Sequence, residues 1–314
     1  MKTLKIVGLV LGGLVLLAIA GIAAVWAPDR SAEDLATRWA PPPSQFTVID
    51  GMKVHFRDEG PRDDPQPIVL LHGTSASLHT WDGWSAALQA KHRVIRVDLP
   101  GFGLTGPTAD GNYQMPVYSR FVIALMDHLQ VKQAVLAGNS LGGYVAWKTA
   151  VDYPARVSKL ILVDSAGYTT TAASVPIGFK LAQIPMLSAL MSNILPRRVV
   201  ESSLRNVYGD PSKISADLVD RYYELALRAG NRKSLAARFA QNKPGEFEAQ
   251  IPQIKQPTLI LWGGLDRLIP PENAQKFHHD IAGSSLVVFD TLGHVGHEED
   301  PALTVAAAQA FLAR

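Results

Sequence analysis

The stretch VLAGNSLGGYVAW, residues 135–147, begins as a buried strand and ends as a helix. Val135, Leu136 and Ala137 are apolar, Gly138 to Gly143 hold one serine among glycines, and a helical run follows from Tyr144. A chain that turns this sharply from strand to helix needs residues without side chains on either side of the turn. The question is why Ser140 stands at the tip of such a turn, and the neighbouring strands supply the context.

Upstream, residues 67–73 (PIVLLHG) and 93–101 (RVIRVDLPG) read as strands, each followed by a helix, near 80–90 and near 115–130. Residues 134–140 form the next strand, 141–152 the next helix, and 159–167 (KLILVDSAG) another strand. These runs are rich in Val, Ile and Leu and barely alternate, as parallel strands covered on both faces do. Strand, helix, strand in this order predicts a doubly wound α/β sheet with right-handed crossovers. Before it, residues 46–50 (FTVID) and 52–60 read as two strands joined at Asp50-Gly51, a hairpin signal. From 169 to about 254 the alternation stops and only helical stretches remain. It resumes with a strand at 257–266, a helix near 271–281, a strand at 285–290 and a last helix over 302–312. The expected organisation is therefore a core of residues 45–168 and 255–314 with a helical cap, 169–254, over the carboxyl ends of the strands.

The 314 residues carry 30 basic and 28 acidic side chains, a net charge of +2, so nothing marks a nucleic-acid partner. Without a cysteine, disulfides, thiolate metal sites and cysteine nucleophiles are excluded. Lys2 and Lys5 precede Ile6–Trp26, a run without charge. About 21 residues rising 1.5 Å each span roughly 31 Å, enough for a bilayer. The expectation is a membrane anchor over residues 1–26 with the rest of the chain on the non-cytoplasmic side, periplasmic in a Gram-negative cell. The alternative is a signal peptide cleaved after the small residues at 18–20, leaving an exported soluble protein. Residues 27–44 then read as a tether, with a short helix capped by Ser31 and an extended proline segment before Ser44.

Ligands of open parallel sheets bind beyond the carboxyl ends of the strands. Those ends carry His72-Gly73-Thr74, then Gly138-Asn139-Ser140-Leu141-Gly142, then Asp266, then Gly293-His294. A serine, an acid and a histidine thus share one rim in that chain order. Gly138 to Gly142 resembles the nucleophile elbow G-x-S-x-G of the α/β-hydrolase fold, and the resemblance extends over residues 45–314. It implies Ser140 as nucleophile, His294 in GHVGHEEDP as general base, and Asp266 in LILWGGLDRLIP as the acid orienting it. Asp164, after the sixth strand, is the rival acid, and His297 is the rival base. The resemblance also implies an oxyanion hole made by the backbone N–H groups of Thr74 and Leu141, which leaves the Thr74 side chain without a role. Asp98 is expected to order a loop.

Within the fold, dehalogenases and epoxide hydrolases use an aspartate where this chain has Ser140. The elbow is similar to bacterial carboxylesterases and lipases, which implies ester hydrolysis of a small-molecule ester with no cofactor and no metal. It is also similar to serine hydrolases that cleave carbon–carbon bonds of aromatic ring-fission products, for which Arg197 and Arg198 are candidates to hold a carboxylate. A non-catalytic binding module is the third reading, and all three residues of the rim speak against it.

Overall fold

The computed structural model describes residues 11–13, 16, 21, 23, 25–184 and 193–314. Eight strands form one sheet: β1 (Gln45–Ile49), β2 (Met52–Glu59), β3 (Ile68–Leu71), β4 (Val94–Val97), β5 (Ala134–Asn139), β6 (Val157–Val163), β7 (Thr258–Gly263) and β8 (Ser285–Phe289). Their spatial order is β1-β2-β4-β3-β5-β6-β7-β8. The β1–β2 hairpin is antiparallel, with Asp50 and Gly51 both at positive φ in the two-residue turn. β2 joins β4 antiparallel, and every pair from β4 to β8 is parallel. The expected mostly parallel, doubly wound sheet is the one observed.

Its central strands explain their own composition. Val69, Leu71, Leu136, Leu160, Leu162, Ile260 and Trp262 point into one core. Ile68, Leu70, Val135, Ala137, Ile161, Val163, Leu259 and Leu261 point into the other. Side chains alternate between faces in a strand. With helices on both faces, almost every position is buried, Ser158 and Lys159 at the start of β6 being half-buried exceptions, and the polar half of the alternation disappears. The first core is closed by α3 (Met115–His128), α4 (Leu141–Asp152) and α9 (Glu272–Asp280), the second by α2 (Asp82–Leu88) and α11 (Pro301–Leu312).

Between β6 and β7 the described residues form no strand of the sheet. They hold α5 (Ile177–Ala182), α6 (Arg197–Val207), α7 (Ala216–Ala226) and α8 (Asn231–Gln241). Leu204, Tyr208 and Val219 pack on Val295, so this helical layer rests directly on the loop after β8. Residues 185–192 of the expected cap lie outside the described residues.

No helix among the described residues is long and apolar enough to cross a membrane, and most of Ile6–Trp26 lies outside them. Residues 27–44 differ from a loose tether. Ala27 N–H donates to the Asn193 carbonyl, Arg30 exchanges backbone hydrogen bonds with Leu227 and Ala229, and α1 (Ala32–Trp39) presents Arg38 and Trp39 to Glu224 of α7 at 2.7 Å each. Ser31 caps α1 through the Asp34 N–H. The segment is strapped along the cap because its backbone and side-chain polar groups find partners there.

Candidate active site

Ser140 sits between β5 and α4 at φ 55°, ψ −115°, a conformation that costs a non-glycine residue on the order of 1–3 kcal/mol. The flanking glycines pay for it sterically. A Cβ on Gly138 would lie 2.1 Å from the Gly142 carbonyl oxygen, and one on Gly142 would lie 2.0 Å from that of Leu71. Only hydrogen fits at either place, so the elbow can form and Ser140 is lifted out of the helix end.

His294 follows β8, and its Nδ1–H donates to Asp266 Oδ2 at 2.7 Å, with both side chains buried. Asp266 Oδ1 accepts from the backbone N–H of Leu268 and Ile269 at 2.8 and 2.9 Å, which fixes the carboxylate after β7. The ring is therefore oriented with Nε2 free to face the cavity. Ser140 and His294 line that cavity together, although no hydrogen bond joins their side chains among the described residues. Such bonds commonly tighten only when substrate is bound.

Asp164 is close by, yet it does not hold the histidine. Its Oδ1 accepts from Gly263 N–H at 2.8 Å, and its buried Oδ2 meets no donor among the described residues. Ligand atoms of Asp164, Asp266 and His294 all lie within 4.8 Å of one another. Burial, and then the Asp266 charge, push the Asp164 carboxyl well above the usual carboxylate range. Two adjacent buried carboxyls cannot both ionise cheaply. Asp164 is thus a neutral acid beside the anion that serves His294. The same three groups each offer one ligand atom to a cation, while the 2.7 Å contact of His294 Nδ1 with Asp266 Oδ2 leaves no room for an ion between those two atoms.

His297, the rival base, is buried with its ring 4.0 Å from that of Trp81, and neither nitrogen has a partner. Burial lowers its pKa to about 3, which keeps it a neutral packing group. His79 is likewise buried, donating and accepting among Ser77 and the Trp39 carbonyl. Asp98 accepts from Leu78 and Leu104 N–H and pairs with His55, so it orders the loop after β4.

Thr74 and Leu141 flank Ser140 from two sides. Leu141 opens α4, and the first N–H groups of a helix have no intrahelical acceptor. The Thr74 loop is pinned by His72: Leu99 N–H donates to its Nε2, and its Nδ1–H donates to the Gly73 carbonyl. A Cβ on Gly73 would lie 3.2 Å from Ser140 Cβ, so the loop passes directly beside the serine.

Several contributors escape a reading by motif. Asn139 donates to the carbonyls of Val163 and His294, tying the elbow to the histidine loop. Glu299 accepts from the N–H groups of Gly209, Asp210 and Gly293 and so clamps the cap to that loop. Both signals were present only as unremarkable letters beside the motifs. Arg197, by contrast, pairs with Asp220 at the exposed surface, and neither it nor Arg198 lines the cavity.

The cavity above Ser140 has a volume of about 160 Å³. Its wall is apolar, with Phe179, Leu195, Val199 and Leu204 from the cap facing Leu268 from the core. A strained serine, a buried acid–histidine pair and two unspent amides under an apolar cap form one known arrangement, and the family pattern described as alpha/beta hydrolase fold matches residues 66–301. The chain belongs to the alpha/beta hydrolase fold family. Among its relatives in that family, the uncharacterized hydrolase YugF of Bacillus subtilis (strain 168) is 32% identical over 266 residues, covering 83% of this chain and 94% of its own. The 2-hydroxymuconate semialdehyde hydrolase of Pseudomonas sp. (strain CF600) is 28% identical over 275 residues, covering 85% and 92%. A solved structure of a bacterial membrane phospholipase A superposes with a TM-score of 0.75 at 24% identity, covering 100% of this chain and 98% of its own. At that identity the likeness is one of fold. The chain is an alpha/beta hydrolase, and the bond it cleaves is a separate question.

Proposed function

We propose that this alpha/beta hydrolase cleaves carboxylic esters with lipophilic acyl groups through an acyl-enzyme on Ser140. The observation that carries the reading is the cavity wall. Apart from the reacting groups, the Asn139 amide and a few hydroxyls, the described wall offers hydrocarbon, and the one basic side chain among its described residues besides His294, Arg232, holds Asp29 at 2.6 Å. Such a wall binds an acyl chain by burial, at about 25 cal/mol per Å² of apolar surface covered. In the reaction the Ser140 hydroxyl attacks the ester carbonyl while His294 Nε2 takes its proton. The proton passes to the leaving alcohol, and water repeats the sequence to release the acid. Asp266 keeps the imidazole in the right tautomer and stabilises its cation.

A second reading, hydrolysis of a carbon–carbon bond in a ring-fission product, is favoured by kinship: the relative of Pseudomonas sp. (strain CF600) is named for that class of reaction. On relationship alone it stands ahead of the ester reading, and the cavity chemistry weighs the other way. A panel of nitrophenyl esters from acetate to decanoate, run beside one vinylogous 1,5-diketone acid, separates them. The ester reading expects specific activity to peak at a medium chain and to exceed that on the diketone by at least tenfold. The reverse ratio would make the enzyme a carbon–carbon hydrolase.

The location proposal is that Ile6–Trp26 anchors the chain in a membrane, its end held beside the cap by the Ala27–Asn193 hydrogen bond, so that the catalytic domain works where lipophilic esters concentrate. Full-length protein made in a bacterium should sediment with membranes, resist carbonate and dissolve in detergent, with an intact mass that includes the N-terminus. A soluble mature protein starting near Gly21 would show a cleaved signal instead.

A further inference from the structure

Arg238, on α8 of the cap, has an unusual set of partners. Its Nη2 donates to the Thr74 hydroxyl oxygen at 3.1 Å, and its guanidinium carbon lies 4.7 Å from the centre of the Phe239 ring. Its Nε is shut off from solvent without a partner. Every aspartate and glutamate of the chain falls within the described residues, and none pairs with Arg238. A guanidinium does not deprotonate in proteins, so a full positive charge stands beside the Thr74 loop with no carboxylate to offset it. Withdrawing a cation from water in this way is costly unless something repays it.

The Thr74 hydroxyl carries a matching vacancy. Arg238 uses one lone pair of Oγ1, so the hydroxyl proton points elsewhere, and no acceptor among the described residues takes it. Thr74 lines the same cavity as Ser140 and His294. A hydroxyl that accepts from a cation becomes a better donor, because each hydrogen bond in a chain polarises the next.

We propose that the Thr74 hydroxyl is a third donor to the oxyanion and that Arg238, a positioning residue contributed by the cap, holds and polarises it. The inference rests on the reading of Ser140 as nucleophile. On attack, the carbonyl π pair becomes a lone pair on oxygen, and that oxygen accepts hydrogen bonds from the N–H groups of Thr74 and Leu141 and from the Thr74 O–H. No proton is transferred to it. When the pair returns, the bond to the leaving oxygen breaks and His294 delivers the proton to the departing alcohol. The uncompensated charge of Arg238 stabilises the negative oxygen more than it stabilises the dipole of a neutral ester carbonyl, which is the difference catalysis requires. The arrangement also makes the oxyanion hole depend on a closed cap, since the cation belongs to α8 and the hydroxyl to the core.

The test uses full-length protein in detergent and compares Thr74→Val, Thr74→Ser, Arg238→Met and the double variant Thr74→Val/Arg238→Met. Two readouts are taken: kcat and KM on nitrophenyl butyrate, and the rate at which a nitrophenyl alkylphosphonate modifies Ser140. The second forms its charge at the same place whatever the natural substrate. Thr74→Val should lower kcat and the phosphonylation rate about a hundredfold with KM changed less than about threefold, and Thr74→Ser should restore both. Arg238→Met should cost about tenfold in the parent and less than about twofold in the Thr74→Val background. Thr74→Val retaining its rates within threefold overturns the third donor. An equal Arg238→Met effect in both backgrounds, or a drop in its thermal midpoint of more than about 10 °C, makes Arg238 structural only. Failure of the ester reading would show in the parent's rate on esters, whereas failure of this proposal would show in the ratios among variants.

Discussion

Alanine in place of Ser140 or of His294 lowers ester turnover by about four orders of magnitude or more, and joining the two replacements costs little beyond either alone. The two side chains act as one unit: without the hydroxyl there is nothing for the base to activate, and without the base the hydroxyl is a poor nucleophile at neutral pH. What remains is binding and the oxyanion donors, which are built from separate residues. Neither replacement touches the cores of the sheet, and Ser140→Ala keeps the elbow glycines that make the turn possible. Stopped-flow or steady-state rates with thermal midpoints unchanged check the point. A Ser140→Ala enzyme within tenfold of the parent would remove the serine from the mechanism.

Asp266→Asn gives the second large effect, on the order of a thousandfold to ten-thousandfold in kcat, while Asp164→Asn stays within about fivefold. The asymmetry follows from the protonation states. Asp266 is the carboxylate that accepts the Nδ1–H of His294, and an amide there presents the wrong tautomer or a donor against a donor. Asp164 is held neutral by burial and by the Asp266 charge, and an asparagine keeps both its acceptor toward Gly263 and a donor toward Asp266. If Asp164 were the working anion, the two asparagine effects would exchange.

The sheet was legible because burial on both faces leaves a plain mark. Strands such as Ile68–Leu71 and Thr258–Gly263 are continuous apolar runs that end in glycine-bearing turns, and the turns carry the chemistry. The elbow was legible for a steric reason: no side chain fits at Gly138 or Gly142, so the spacing of the glycines records the geometry. Contacts across long separations left no such mark. Arg238 and Thr74 are 164 positions apart, Asn139 and His294 are 155 apart, and neither partner announces the other by periodicity or spacing. The docking of residues 27–40 on α7 was hidden for the same reason, since Arg38, Trp39 and Glu224 read singly as ordinary surface residues of helices. The motif favoured Asp266 over Asp164 although both follow parallel strands at the same rim, and among the described residues the ring of His294 hydrogen-bonds Asp266 and not Asp164.

The central claim, that Ser140 is the acylated nucleophile of an esterase site, is tested most directly by mass spectrometry of the full-length protein treated with nitrophenyl hexylphosphonate. The account predicts one adduct per chain, carried by the peptide that contains Ser140, appearing in step with loss of ester hydrolysis and absent from His294→Ala on the same timescale. An enzyme that keeps its activity while modified, or an adduct on any other residue, would contradict it.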